Sequence, residues 1–257
     1  MTDGAPLKVW HEHDGALLRL KLNRPKANIV DAAMIAALTA ALDEHLAAPG
    51  LRAVLLSAEG PHFSFGASVA EHLPEQCTAM IKSLHGLILR MVESPVPILV
   101  AVQGQCLGGG LEVVMAGNLI FAAPGAALGQ PEIKLGVFAP AASVLLPGWV
   151  GQAAAEDMLF SGRSIGGEEA HRRGLVSQLA DDPEAAALAY FEKNLAPLSA
   201  SSLRLAVTAV REGHAARIRE RIAVVEALYL DGLMSTHDAV EGLNAFIEKR
   251  AANWENH

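Results

Sequence analysis

Short apolar runs alternate with helical patterns along the chain up to about Asn194, and this alternation limits the possible folds more than any other feature. Four runs have the length and composition of strands: Ala16–Leu22, which alternates in part, Leu51–Ser57, Ile98–Val102, which suits a buried strand, and Leu119–Ala122. A helical pattern follows each of the first two, from the capping residue Asp31 to about Ala48 and from Glu75 to about Glu93. Strands that alternate with helices predict an α/β fold with parallel strand pairing.

The pattern changes after Pro197, where strand signals nearly disappear. Two long helical patterns fill this region, Ser201–Ala227 and Asp238–Arg250. We therefore expect a core that carries the functional site at residues 1–196 and a helical C-terminal subdomain at residues 197–257.

Composition narrows the class of protein. The 257 residues are 51% hydrophobic and 19% charged, which is typical of a globular chain that buries a large core. The formal net charge of -8 argues against nucleic acid as a partner, because binding phosphates requires clustered cations. Apolar stretches are broken by Gly, Pro or charged residues before the ~18 residues that indicate a membrane span, so we expect no membrane partner.

The expected compartment is the cytoplasm. The segment Met1–Trp10 has no basic region followed by an apolar one, so it does not resemble a secretory signal. The two cysteines, Cys77 and Cys106, form no CxxC motif and favour a reducing compartment with free thiols.

A run of three glycines precedes a helical pattern at Gly108-Gly-Gly-Leu-Glu112. Residues without a Cβ let a substrate oxygen approach the backbone closely, and N–H groups at a helix start can stabilise a developing oxyanion. The run fits neither GxGxxG nor GxxxxGK[ST], which disfavours nucleotide-phosphate folds and a Rossmann dehydrogenase. An equally simple interpretation is a turn for close packing, with Glu112 compensating the helix dipole.

Two further segments indicate a functional site when their order along the chain is considered. The loop Phe63–Ser68 could offer a second backbone donor, and Gly129–Glu132 supplies a second acid. Each alone is an ordinary turn or loop, but together they provide two amide-donating loops and two acids. Two acids in one dry pocket would not both ionise readily, which gives them different roles in moving protons.

Other reactive residues are weaker candidates. His11 and His13 could share a strand face, but no third ligand is apparent, so we expect no metal site. Cys106 lies near the glycine run without an evident base and is more simply a small buried residue.

Taken together, these residues resemble the enoyl-CoA hydratase/isomerase (crotonase) superfamily over almost the whole chain. No single motif is decisive, but many landmarks occur in register: Leu22–Ala27, Gly66-Ala67, Pro97–Gly104, Gly108–Glu112, Gly129–Ile133, Leu159–Arg163, Ala170–Val176 and Phe246–Arg250. The resemblance implies a spiral of ββα repeats with a helical C-terminal region. It also implies trimers, commonly paired into hexamers, in which the C-terminal region contributes to assembly and to the CoA pocket.

The resemblance also assigns expected roles to residues. Ala67 and Gly109 match the two backbone donors of the oxyanion hole, and Glu112 and Glu132 match the two acids of the hydratases. The expected CoA-binding residues are Lys26, Ala27, Ser68 and Val69 and, from a neighbouring subunit, Phe246 and Lys249. An acyl-CoA thioester is then the substrate, and no cofactor is expected beyond the coenzyme A that the substrate carries.

Departures from the family pattern cluster where the acyl group should lie. Ser68 stands where an Asp is common, Ala70 where a Lys is common, and Phe138–Ser143 where a Gly-Ala-Gly-Gly stretch is usual. Phe65 also replaces a small residue, so we expect Phe65, Phe138 and Pro140 to line the acyl pocket.

Three segments, Phe63–Gln76, Gly136–Ser143 and the ending Ala252–Asn256, are most similar to the cyclohexa-1,5-diene-1-carbonyl-CoA hydratases of anaerobic benzoyl-CoA degradation. The likeness implies that hydroxyl adds at the β carbon and a proton at the far end of the diene. An ordinary enoyl-CoA hydratase, an enoyl-CoA isomerase and a non-catalytic acyl-CoA- or RNA-binding relative remain alternatives.

Overall fold

The computed structural model of the protein describes residues 4–257. The first three residues of the N-terminal segment, from which we expect no secretory signal, lie outside the described part. The strands are β1 (Leu7–Glu12), β2 (Leu17–Leu22), β3 (Ala53–Ala58), β4 (Ile98–Val102), β5 (Gln105–Leu107), β6 (Leu119–Ala122), β7 (Ala127–Gly129), β8 (Ser164–Gly166) and β9 (Gln178–Leu179). The helices are α1 (Ala32–His45), α2 (Pro74–Val92), α3 (Gly109–Met115), α4 (Pro140–Val150), α5 (Gln152–Ser161), α6 (Gly167–Arg172), α7 (Pro183–Asn194), α8 (Ala200–Ala227) and α9 (His237–Glu248).

The strands form two sheets. The larger sheet has the order β1-β2-β3-β4-β6-β9, and all its neighbours are parallel except the β1–β2 hairpin. The smaller sheet has the order β5-β7-β8, with β5 and β7 parallel. The α/β class with parallel pairing, predicted from the alternation of strands and helices, is confirmed.

Successive chain segments build these sheets as a spiral of ββα turns. β4 lies in the larger sheet, β5 in the smaller one, and α3 follows; β6, β7 and α4 repeat the order. An isolated bridge between Ser64 and Cys106 places the earlier loop beside β5 in the same way. This repetition brings the Phe63–Ser68 loop next to the start of α3.

The central strands of the larger sheet are buried on both faces. Leu18, Leu20 and Leu56 belong to the main hydrophobic cluster, whereas Leu17 and Leu55 face a second cluster that α7 covers. Burial on both faces explains why β3, β4 and β6 are nearly continuous apolar runs, whereas β2 alternates in part.

The predicted boundaries hold to within a few residues. The Asp31 side chain accepts a hydrogen bond from the N–H of Met34 and so caps α1. β3 begins at Ala53 rather than Leu51, because Leu51 N–H closes a turn on the carbonyl of Ala48. α1 correspondingly ends at His45, three residues before the predicted Ala48.

The C-terminal region is helical, as expected, and packs on the spiral. Ile218, Ile222 and Tyr229, from α8 and the turn after it, belong to the same hydrophobic cluster as the strands. Arg211 of α8 donates hydrogen bonds to the carbonyl of Val92, the last residue of α2, and to the carbonyl of Gly117, just beyond the end of α3. The division at residue 196 stays a prediction. Within residues 4–257, no helix has the length and apolar character needed to cross a bilayer.

Candidate active site

The glycine run is required by close contacts at the start of α3. A Cβ on Gly108, whose φ is +50°, would lie 2.5 Å from Oε1 of Glu132. A Cβ on Gly109 would lie 2.9 Å from Cβ of Ala67 and 3.2 Å from its backbone nitrogen. The loop that carries Ala67 therefore contacts the start of α3 with no glycine side chain between them, and the Glu132 carboxyl lies beside Gly108.

This contact brings together the two expected oxyanion donors. Gly109 is the first residue of α3, so its N–H has no acceptor within the helix. Ala67 lies directly against it, and both residues line one cavity. The glycines also allow close packing, as the simpler interpretation expects. The same close approach brings the backbone N–H groups of Ala67 and Gly109 together.

Two polar residues hold the Ala67 loop in shape. The buried Ser64 hydroxyl donates to the carbonyl of Asn28 at 2.8 Å and accepts from the N–H of Gly66 at 3.0 Å. Asn28 is fully buried, and its amide donates to the carbonyls of Glu59 and His62. Sequence reasoning missed both, although Asn28 directly follows the Asn23–Ala27 motif that signalled the family.

Glu112 lies in the first turn of α3 and is 3% exposed. Burial raises the pKa of its carboxyl, whereas hydrogen bonds from the N–H groups of Ala142 and Ala141 oppose the rise. The Ala142 N–H lies 2.8 Å from Oε1 of Glu112. The unusual Phe138–Ser143 segment thus supplies backbone donors to the first acid through the start of α4.

Glu132 begins a 3₁₀ turn after Pro131 and is partly buried. Burial raises the pKa of its carboxyl, the negative charge of Glu112 raises it further, and its own backbone N–H opposes the rise. Since the pKa of each acid is raised and the two interact, they titrate as a pair that holds a proton near neutral pH.

Both acids line a cavity of about 580 Å³. Its expected residues are Phe65, Ala67, Ser68, Val69, Gly109, Glu112, Glu132, Phe138, Pro140 and Phe246. Its other polar or charged side chains, which sequence reasoning missed, belong to His72 and Lys134. Because most of the lining is apolar, the cavity suits an acyl group with the two acids at one point on its wall.

Phe246 lines the cavity of its own chain and is 54% exposed, and its expected contact with the site of a neighbouring subunit stays a prediction. α9 approaches the 3₁₀ turn after Glu132 closely, since a Cβ on Gly242 would lie 2.1 Å from the carbonyl oxygen of Leu135. This approach brings Leu243 and Phe246 onto the cavity wall.

Three expected CoA-binding residues lie outside the cavity lining. Lys26 is exposed on a turn, and Ala27 uses its carbonyl to accept from the N–H of Phe65 at 2.9 Å. Lys249 is exposed at the C-terminal end of α9. Their roles toward the nucleotide part of CoA stay predictions.

The other reactive side chains are poorly placed for chemistry. Cys106 is fully buried, and burial raises the pKa of its thiol far above neutral, which disfavours a nucleophilic role. No group of three or more potential metal ligands occurs among residues 4–257.

Comparison with known proteins agrees with this geometry. Residues 12–257 match the family model described as enoyl-CoA hydratase/isomerase. The chain is 70% identical over 252 residues, 98% of each chain, to cyclohexa-1,5-dienecarbonyl-CoA hydratase of Thauera aromatica. It is 36% identical to a probable enoyl-CoA hydratase of Mycobacterium leprae, over 90% of this chain and 91% of that one.

A solved structure of similar shape is the enoyl-CoA hydratase/isomerase of Pseudoalteromonas atlantica. It is 28% identical, the match covers 97% of this chain and 99% of that one, and the TM-score is 0.84. The chain therefore belongs to the enoyl-CoA hydratase/isomerase family.

Proposed function

We propose that this protein hydrates cyclohexa-1,5-diene-1-carbonyl-CoA to 6-hydroxycyclohex-1-ene-1-carbonyl-CoA, a step of anaerobic benzoyl-CoA degradation. The observation that carries the proposal is the 70% identity, over 98% of both chains, with a hydratase named for that substrate. The cavity supports it independently, because two interacting acids and backbone groups from two loops line one apolar space.

The backbone groups would stabilise the charge that forms during the reaction. When water attacks the β carbon, electrons move through the conjugated system toward the thioester oxygen. The N–H groups of Ala67 and Gly109 donate to that oxygen. Donors fixed in place need no rearrangement as the charge grows, and losing one such donor typically costs about 3–4 kcal/mol.

The two acids would move the protons. The water oxygen bonds to the β carbon while one of its hydrogens passes as a proton to the ionised carboxylate. The protonated carboxyl gives its proton to the ring carbon at the far end of the diene, and the displaced electron pair becomes the remaining ring double bond. The sum is the addition of one water molecule, and the pair again holds one proton.

The cavity walls favour a flat ring. Phe65, Phe138 and Pro140 contribute rigid apolar surfaces, and Ile81 and Leu84 of α2 also line the cavity. Such a slot can hold a cyclic diene without ordering a flexible chain, which lowers the entropic cost of binding.

Steady-state rates with the cyclic dienoyl-CoA and with crotonyl-CoA test this proposal directly. We expect a higher kcat/KM for the cyclic substrate, because the rigid side chains of Phe65, Phe138 and Pro140 suit a flat ring. A clear preference for crotonyl-CoA would instead indicate an ordinary enoyl-CoA hydratase.

The surroundings of the reaction are part of the proposal. We expect Lys26, Ala27, Ser68, Val69, Phe246 and Lys249 to bind the CoA portion, and activity to need no added cofactor. We also expect a homotrimer or a dimer of trimers in the cytoplasm. Exposed apolar side chains along α8, among them Leu205 and Val210, support association of subunits. Light scattering of the purified protein measures the assembly.

A further inference from the structure

Gln130 is a buried polar residue beside the acid pair for which the proposed reaction has no role so far. It follows β7, is 1% exposed, and lies two positions before Glu132. Fully buried amides are costly unless they are hydrogen-bonded, so the partner of this side chain shows what the amide does.

That partner is the carboxyl group of Glu132. With its nitrogen turned toward this group, the Gln130 amide lies 3.1 Å from Oε2 and 3.2 Å from Oε1. The amide nitrogen therefore lies within hydrogen-bond distance of both carboxyl oxygens. An ionised carboxylate only accepts hydrogen bonds, so this orientation matches ionised Glu132.

The opposite orientation satisfies the amide less well. Rotating the amide by half a turn would let its oxygen accept the hydrogen of a protonated Glu132, but its nitrogen would then face only donors. Gln130 is therefore fully satisfied only when its nitrogen donates to an ionised Glu132.

We propose that Gln130 is a positioning residue that holds Glu132 in place and favours its ionised state by donating from its amide to the carboxylate. This inference rests on the proposed function, in which Glu132 alternates between the two states during each turnover. Hydrogen bonds to an ionised acceptor are roughly twice as strong as neutral ones, so the net effect of Gln130 favours the carboxylate.

Other charged groups near Glu132 already have partners or lie elsewhere on the cavity wall. Glu112 is the charged residue that acts on it through the cavity. On the elements packed against its turn, Asp157 of α5 pairs with Arg163, and Asp238 of α9 accepts from the N–H groups of Glu255 and Asn256. His72 and Lys134 line the cavity without a contact to the Gln130 amide.

The test replaces Gln130 and follows the pH dependence of kcat. Gln130→Met keeps the approximate shape but removes both hydrogen-bonding groups. We expect kcat near neutral pH to fall by about 10-fold, and the acidic limb of the profile to move up by on the order of one pH unit. The limb moves up because the carboxylate loses a donor that favoured ionisation.

A surface pair provides the matched control. Gln152 of α5 donates to Glu156 at 2.9 Å in an exposed position, so Gln152→Met removes a similar Gln–Glu contact between residues that do not line the cavity. We expect this variant to keep the wild-type kcat and profile. Binding of saturated cyclohexanecarbonyl-CoA should stay at the wild-type Kd in both variants, because no proton moves.

Gln130→Glu is isosteric but replaces the amide donor with an acid, whose charge beside Glu132 also raises the pKa of that carboxyl. We expect its acidic limb to shift at least as far as that of Gln130→Met. An unshifted limb in both variants overturns the inference, as does a loss of kcat that only follows a loss of folded protein. Failure of the wild type to hydrate the cyclic substrate overturns the proposed function instead, and the profiles are then measured with crotonyl-CoA.

Discussion

Glu112 and Glu132 differ in what surrounds them, although both are acids in one cavity. Backbone N–H groups of α4 hold Glu112, whereas Glu132 meets a side-chain amide and bare backbone at Gly108. These different partners suit a pair in which one proton is passed on during each cycle.

Removing either acid should abolish most of the activity. Glu112→Gln and Glu132→Gln keep the shape of the side chain but cannot accept a proton. We expect each to lower kcat by at least about 100-fold, the scale of general acid–base catalysis. The Kd for a saturated acyl-CoA, measured by calorimetry, should change little, and an equal loss of binding would contradict the assigned roles.

The raised pKa of Glu132 also predicts a pH-dependent effect on stability. The folded protein keeps a proton that the unfolded chain releases above the ordinary pKa of 4.5. The free energy of unfolding therefore falls as pH rises from that value toward the raised pKa. Glu132→Gln does not ionise and avoids this loss.

Thermal unfolding of wild type and Glu132→Gln checks that sign. We expect the Tm advantage of the variant to grow between about pH 5 and about pH 8. A difference in Tm that stays constant, or that shrinks with rising pH, would mean that the carboxyl pKa is not raised in the folded state.

At the scale of elements, the long strands and helices could be predicted because their patterns are local. β4 and β6 are continuous apolar runs, β2 alternates in part, and α2 carries a strong apolar face. The strands of the smaller sheet could not be predicted, since three residues are too few to show alternation. Pairing between distant segments, such as Cys106 with Leu128, defines them instead.

Gly108, in the turn before α3, has a conformation on which the position of Glu132 depends. Gly108→Ala would place a Cβ 2.5 Å from Oε1 of Glu132 at a φ of +50°, so the acid or the turn must move. We expect kcat to fall by about 100-fold, because a displacement of about 1 Å in a catalytic group can cost that much.

Gly125→Ala is the matched control for that change. A Cβ on Gly125 meets no atom within 4 Å, and its φ is not in the left-handed region. Wild-type rates are expected for this variant. Equal losses of kcat in the two variants would show that Gly108 has no special relation to Glu132.

At the scale of the whole molecule, the family and the order of its landmarks could be predicted from sequence, and so could the residues at the centre of the cavity. The contact between α9 and the cavity could not be predicted, because it depends on the path of the C-terminal region. Phe246 lies in the cavity of its own chain because Gly242 lets α9 approach the turn after Glu132. Gln130 and Asn28 were missed because their partners follow from the folded contacts.

Isotope labelling tests the central claim, that the two acids add water across the cyclic diene held by the backbone donors. The cyclic dienoyl-CoA is incubated with the enzyme in ¹⁸O-labelled water and, separately, in heavy water, and the product is analysed by mass spectrometry and NMR. We predict one ¹⁸O in the new hydroxyl group and one deuterium at the ring carbon that was the far end of the diene. A product without ¹⁸O, or with its deuterium at the carbon next to the thioester, would contradict the account.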